Sequence, residues 1–154
     1  MEINQLNLKF DQVNNPKLSD LYFQMQDILK RTNNKKLPTE AIQYINHIVK
    51  QVNSSNLKDK ILLELLKEKQ NYIVKFLEKK HNIVTKNNYR NMWIGLGALV
   101  FGLPVGLLLA FIFNNAKVFA LGLIAGAGIG TFVGISMDNK AVREGRQLNI
   151  ELKY

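Results

Sequence analysis

The chain has no cysteine, which excludes disulfides and thiolate metal sites and leaves the redox compartment unmarked. Histidine is almost as scarce. His47 falls on a helical stretch beside Ile48 and His81 in a basic one, and neither stands at metal-ligand spacing from other donors. Charge is missing from one long segment: from Met92 to Met137 the only ionisable side chain is Lys117. A nucleophile elbow, a phosphate-binding glycine loop and a metal-ligand cluster are all lacking, so neither an enzyme nor a cofactor is expected. Gly126-x-Gly128-x-Gly130 has the look of a dinucleotide fingerprint. It lacks the preceding strand and the acidic residue about 20 positions on, and it sits in an apolar run. The first residues, MEINQLNLKF, show no basic stretch followed by an apolar core, so a signal peptide is not expected.

What is present is sharply divided. Of 154 residues with a net charge of +9, the first 91 carry 16 basic and 9 acidic side chains. Nine of the ten glycines fall between Gly95 and Gly134. The basic excess suits nucleic acid or anionic lipid head groups, and the apolar segment favours lipid. The expected organisation is a basic helical domain over 1–91, a two-span hairpin over 92–137, and a tail over 138–154.

In the N-terminal part, Leu6, Leu8 and Phe10 alternate with Gln5, Asn7 and Lys9, the period of a half-buried strand over about 5–10. Asn14-Asn15-Pro16 marks a turn and a helix start. Leu18, Leu21, Tyr22, Met25, Ile28 and Leu29 then make one helical face to about Arg31. A second helix opens at Pro38-Thr39-Glu40 with Thr39 as its N-cap, and carries Ile42, Ile45, Ile48, Val49 and Val52. A third runs from about Leu57 to Lys80 on Ile61, Leu62, Leu65, Leu66, Tyr72, Ile73, Phe76 and Leu77. Such a small bundle is marginal alone and gains from a membrane or from self-association. The stretch from Lys79 to Asn91 is basic and reads as a hinge, continuous or broken.

The apolar segment holds two spans, 92–113 and 118–137. The first, at 1.5 Å per residue, reaches about 33 Å against a hydrocarbon core of about 30 Å. Pro104 removes one backbone donor mid-span and is expected to kink it. Asn114-Asn115-Ala116-Lys117 is short enough to impose an antiparallel hairpin. Gly122, Gly126, Gly130 and Gly134 recur every fourth residue, and Ala98, Gly102, Gly106 and Ala110 answer them. Each set forms a stripe with little side chain, the kind that lets helix backbones approach in lipid. Pairing Ala110 with Gly122, Gly106 with Gly126, Gly102 with Gly130 and Ala98 with Gly134 keeps one constant register. Gly95, Gly97 and Gly128 offer a second smooth face for contact between chains. Lys79, Lys80, Lys86 and Arg90 precede the first span and Lys140, Arg143 and Arg146 follow the second. By the positive-inside rule both termini face the cytoplasm, and these seven side chains are the candidate head-group ligands.

Beyond the hairpin, Gly145 is a natural helix stop. Leu148, Ile150, Leu152 and Tyr154 alternate with polar residues, a strand signal over 147–154. Asp138 could hold a cation, pair with Arg143 or cap the hydrophobic stretch. The glycine-every-fourth helix running into Ser136-Met137-Asp138-Asn139-Lys140-Ala141-Val142-Arg143-Glu144-Gly145-Arg146-Gln147-Leu148 resembles the C-terminal part of small bacterial glycine-zipper membrane proteins. The resemblance spans about residues 118–148, implies a bacterial membrane protein, and carries over no functional residues.

The expected fold is therefore all-α: a cytoplasmic three-helix region, then an antiparallel transmembrane hairpin, with short terminal strands over about 5–10 and 147–154. The expected function is a non-enzymatic inner-membrane anchor, adaptor or assembly subunit that self-associates and meets a protein partner through its N-terminal domain. The alternative is a small oligomeric pore or membrane-perturbing effector. Against it, the spans hold no intramembrane charge and only Trp93, Thr131 and Ser136 as polar side chains outside the loop. Nucleic-acid binding has only the charge behind it.

Overall fold

Asn15 starts the first helix as an Asx cap, its side-chain oxygen accepting the Lys17 N–H at 2.9 Å, with Pro16 pre-set at the first helical position. The structure, a computed structural model, describes residues 1–7 and 15–152. It divides into two units, Met1–Thr85 with Leu148–Tyr154, and Lys86–Gln147.

The first unit holds α1 (Pro16–Asn33), α2 (Thr39–Asn53) and α3 (Asp59–His81). Each contributes one apolar stripe: Leu18, Leu21, Met25, Ile28 and Leu29 from α1, Ile45, Ile48, Val49 and Val52 from α2, and Leu62, Leu66, Ile73 and Leu77 from α3 are all buried. Thr39 does not cap α2. Pro38 holds the N-cap position in extended backbone, and its carbonyl takes the Ala41 and Ile42 N–H groups. Ile61 and Tyr72, expected on the α3 core face, are more than half exposed. Asn82 ends α3 in the left-handed region, which asparagine tolerates.

Two non-helical segments complete this core. Ile3 and Leu6 of the N-terminal segment are buried in it, as are Leu148 and Ile150. Neither expected strand forms a ladder among the described residues. Residues 5–7 belong to no strand, and residues 147–152 make a single bridge in which Leu148 N–H donates to Val84 O at 2.9 Å. Side chains of α1 and α2 take the place of a partner strand along residues 2–7. Residues 8–10 and 153–154 of those expectations lie outside the described residues.

The second unit is a helical hairpin. Its first arm is α4 (Asn88–Gly97), a π turn (Ala98–Gly102) and α5 (Leu103–Ile112); its second is a short 3₁₀ turn (Ala116–Val118) running into α6 (Phe119–Arg143). Both arms, Asn88–Ile112 and Ala116–Arg143, are long and apolar enough to cross a membrane. The first therefore begins before Met92 and the second continues past Met137. The π turn precedes Pro104, which has no N–H to return to Val100 and whose ring would press on the preceding turn. Widening that turn accommodates both, and Leu103 N–H reaches back to Ala98 O. At the far end Arg146 N–H bonds Ala141 O and Gly145 N–H bonds Val142 O, with Gly145 at φ +67. This is the Schellman closure for which a glycine is favoured.

Candidate functional site

The hairpin arms meet along a seam of glycine. Gly97, Gly102 and Gly106 of the first arm and Gly122, Gly126, Gly130 and Gly134 of the second are all buried. A methyl added at any of them would strike the facing backbone. At Gly97 it would come within 2.6 Å of Gly130 Cα, at Gly102 within 2.8 Å of Leu123 Cα, and at Gly134 within 2.5 Å of Arg90 Cα. The carbonyl oxygens of Tyr89, Trp93, Gly97 and Gly102 each face an α6 glycine on the side a Cβ would occupy. That is the arrangement of Cα–H···O=C contacts, which recur where helices pack closely.

The register differs from the expected one by one helical turn. Gly122 lies against Gly106, Gly126 against Gly102, and Gly130 against Gly97. Two local features set this. The chain reverses over Phe113–Asn115, with Asn114 at φ 45 and the Asn115 side chain capping the 3₁₀ turn by accepting Lys117 N–H at 3.0 Å. Residue 116 is thus already committed to the second arm. The π turn then inserts one extra residue, so the first-arm stripe continues through Gly97 rather than Ala98. Ala98 and Ala110 are half-buried. Gly95 and Gly128 have open space where a Cβ would stand.

At the open end of the seam, Asp138 is 6% exposed. Its two carboxylate oxygens accept the N–H groups of Tyr89 at 3.1 Å and Arg90 at 3.0 Å. These are the second and third residues of α4, whose own N-cap, Asn87, makes no side-chain capping hydrogen bond. Asp138 of one arm therefore caps the other, putting negative charge at a helix N-terminus. Neither a cation nor Arg143 is needed to account for its burial.

The seven candidate head-group ligands are not equivalent. Lys79, Lys80, Lys86, Lys140 and Arg143 are exposed, whereas Arg90 is half-buried beside Gly134. Arg146 is drawn to Glu144, its Nε donating to Oε2 at 2.7 Å, and also bonds Tyr89. That hydrogen bond holds the Glu144 carboxyl below its usual range. The pairing is complete above the ordinary carboxylate pKa and is lost as pH falls through the lowered one. Thr131 bonds its own helix, Oγ1 to Ala127 O at 2.8 Å. His47 shares a 3.1 Å hydrogen bond with Gln51, and His81 stacks edge-on against Phe76. Among the described residues no three His, Asp or Glu side chains converge on a metal position.

No protein-family model, curated protein or solved structure matches this chain.

Proposed function

We propose that the hairpin spans a bacterial inner membrane with both ends on the cytoplasmic side, and that the chain works there as a non-enzymatic anchor or adaptor. One observation carries this reading: burial in the hairpin is inverted. Between Asn88 and Met137 the buried positions are all glycines, while Phe111 is 86% exposed, Phe132 79%, Ile112 69% and Ile124 68%. A water-soluble hairpin would turn those side chains inward, because a continuous apolar face of this size is an aggregation hazard in water. In hydrocarbon the preference reverses, and close backbone contact becomes the source of association. The seam supplies that contact.

The positive charges support the orientation. Lys86, Lys140 and Arg143 lie exposed near the two open ends of the hairpin, against Lys117 alone at its loop. The first unit contains chain from before and after the hairpin, as an even number of crossings requires. The C-terminal resemblance to bacterial glycine-zipper proteins supports the compartment. Self-association through the hairpin falls to Gly95 and Gly128, the two glycines within its apolar arms that have open space.

The absence of native cysteine makes the test direct. Single Lys86→Cys, Lys117→Cys and Lys140→Cys variants are treated with a membrane-impermeant maleimide in intact cells and after lysis. Labelling of position 117 before lysis, and of 86 and 140 only after it, is expected once the outer layer is permeabilised. Recovery of the full-length chain in the soluble fraction without detergent would overturn the proposal. Vesicles carrying the protein should retain trapped dye, since an anchor provides no aqueous path.

A further inference from the structure

α3 carries more apolar surface than the first unit buries. Its core stripe is Leu62, Leu66, Ile73 and Leu77, all fully buried. A second stripe, Ile61, Leu65, Tyr72 and Phe76, lies about 100° further round the helix. Ile61 is 62% exposed and Tyr72 51%, while Leu65 and Phe76 are half-buried. Tyr44 of α2 extends this face. It is 42% exposed and stacks on Phe76 with ring centroids 4.4 Å apart, and His81 meets Phe76 edge-on at 5.2 Å.

The charge beside the aromatic end of this face is mostly positive. Lys75, Lys79 and Lys80 are exposed there, against Glu78 alone between residues 75 and 80. Glu68, nearer the middle of the helix, is paired with Lys69 at 3.5 Å, and the same Nζ stands 5.6 Å from the centre of the Tyr72 ring. Phe23 of α1, 64% exposed, stands instead between Asp20 and Asp27.

Rings with polar tips next to lysine are the composition that settles at the head-group level of a bilayer. The rings enter the interfacial layer and the ammonium groups meet anionic phosphates. Other occupants fit less well. The depression between α2 and α3, about 300 Å³ and lined by Tyr44, His47, Gln51 and Tyr72, is too small to seat a helix about 10 Å across. Nucleic acid stacks its bases on free ring faces, and here Tyr44 and Phe76 cover each other while Lys69 lies over Tyr72. The chain path adds a further argument. Thr85 runs directly into the hairpin unit at Lys86, and Leu148 follows it at Gln147. A spanning hairpin therefore holds the helical unit at the bilayer surface by two short tethers, which raises the effective concentration of lipid around it.

We infer that the outer face of α3, with Ile61, Tyr72 and Phe76 joined by Tyr44, docks on the anionic surface of the inner leaflet, where Lys75, Lys79 and Lys80 meet lipid phosphates. The inference rests on the membrane reading of the hairpin and adds a second attachment that is selective for lipid charge.

Single-cysteine variants of the full-length chain, Tyr72→Cys, Phe23→Cys and Phe132→Cys, are labelled with a fluorophore and reconstituted into phosphatidylcholine vesicles with or without about one third phosphatidylglycerol. Nitroxide lipids spin-labelled at the head group or at mid-chain serve as quenchers. Position 132 should be quenched by the mid-chain label in both vesicles, which tests the hairpin alone. Position 72 should be quenched by the head-group label at least about threefold more in anionic vesicles, with no such difference at position 23. Adding Lys75→Glu/Lys79→Glu/Lys80→Glu should abolish the difference at 72 while leaving helical circular dichroism and position 132 unchanged. Salt near 1 M, where the screening length is about 3 Å, should abolish it without any substitution. Quenching at 132 with equal quenching at 72 in the two vesicles overturns the inference and leaves the hairpin reading standing. No quenching at 132 overturns both. Shielding of position 72 that grows with protein density, or that occurs in native membranes and not in vesicles, would assign the face to a second copy or to another protein and overturn the inference.

Discussion

Asp138 shows how one side chain can join two helices without an ion pair. It supplies the cap that α4 lacks locally, from a position 49 residues from Tyr89. Replacing Asp138 with alanine should lower stability by about 1–2 kcal/mol, read as a fall in melting temperature in detergent, with Asp138→Asn recovering part of it. Gln70 is the opposite case. It is fully buried in the helical unit, and neither amide atom has a hydrogen-bond partner. An unsatisfied buried amide costs about 1–3 kcal/mol, and an apolar side chain of similar volume avoids that cost. Gln70→Leu is therefore expected to raise the melting temperature; a fall would mean the amide has a role in packing. Caps supplied by a neighbouring residue, such as Asn15, can be read from the sequence. A cap supplied from the far arm of a hairpin cannot, because nothing near Asn88 announces it.

Among the elements, α6 and its partner arm form a contact that admits no side chain. Gly126→Leu should destabilise or splay the hairpin by about 3 kcal/mol or more, since the clash is with backbone on both sides. Gly128→Leu meets open space and should be neutral or slightly stabilising through better helix propensity. Thermal stability in detergent separates the two. Equal behaviour would mean that the seam does not hold the arms. The four-residue spacing of Gly122 to Gly134 was legible, as was the hairpin itself. The register was not, because it depends on a π turn and on the site of chain reversal. Periodicity assumes an unbroken helix, and Pro104 breaks that assumption upstream of its own position. The three amphipathic helices of the first unit followed from their apolar spacing. Among the described residues the N-terminal strand does not form, because α1 and α2 offer asparagine side chains, rather than a neighbouring strand, to the backbone of residues 2–7.

For the molecule as a whole, the discontinuous first unit is the governing fact. Leu148 is 2% exposed within that core, so Leu148→Ala should cost about 2–5 kcal/mol. The loss would be measured as earlier unfolding of the helical unit, a region distant from it in sequence. A variant that unfolds like wild type would show that residues 148–150 add nothing to the core. The alternation at 147–154 signalled a half-buried segment but not its destination, since an extended stretch can cover helices as readily as it can join a sheet.

Translation runs in one direction, and the first unit needs residues made before the hairpin and residues made after it. At about 5–20 residues per second, several seconds separate the synthesis of Thr85 from that of Leu148. During that interval the nascent bundle lacks Leu148 and Ile150 and exposes the apolar surface they will cover. Any chaperone or insertion factor that engages this chain meets it with that surface open, while both arms of the hairpin are being made.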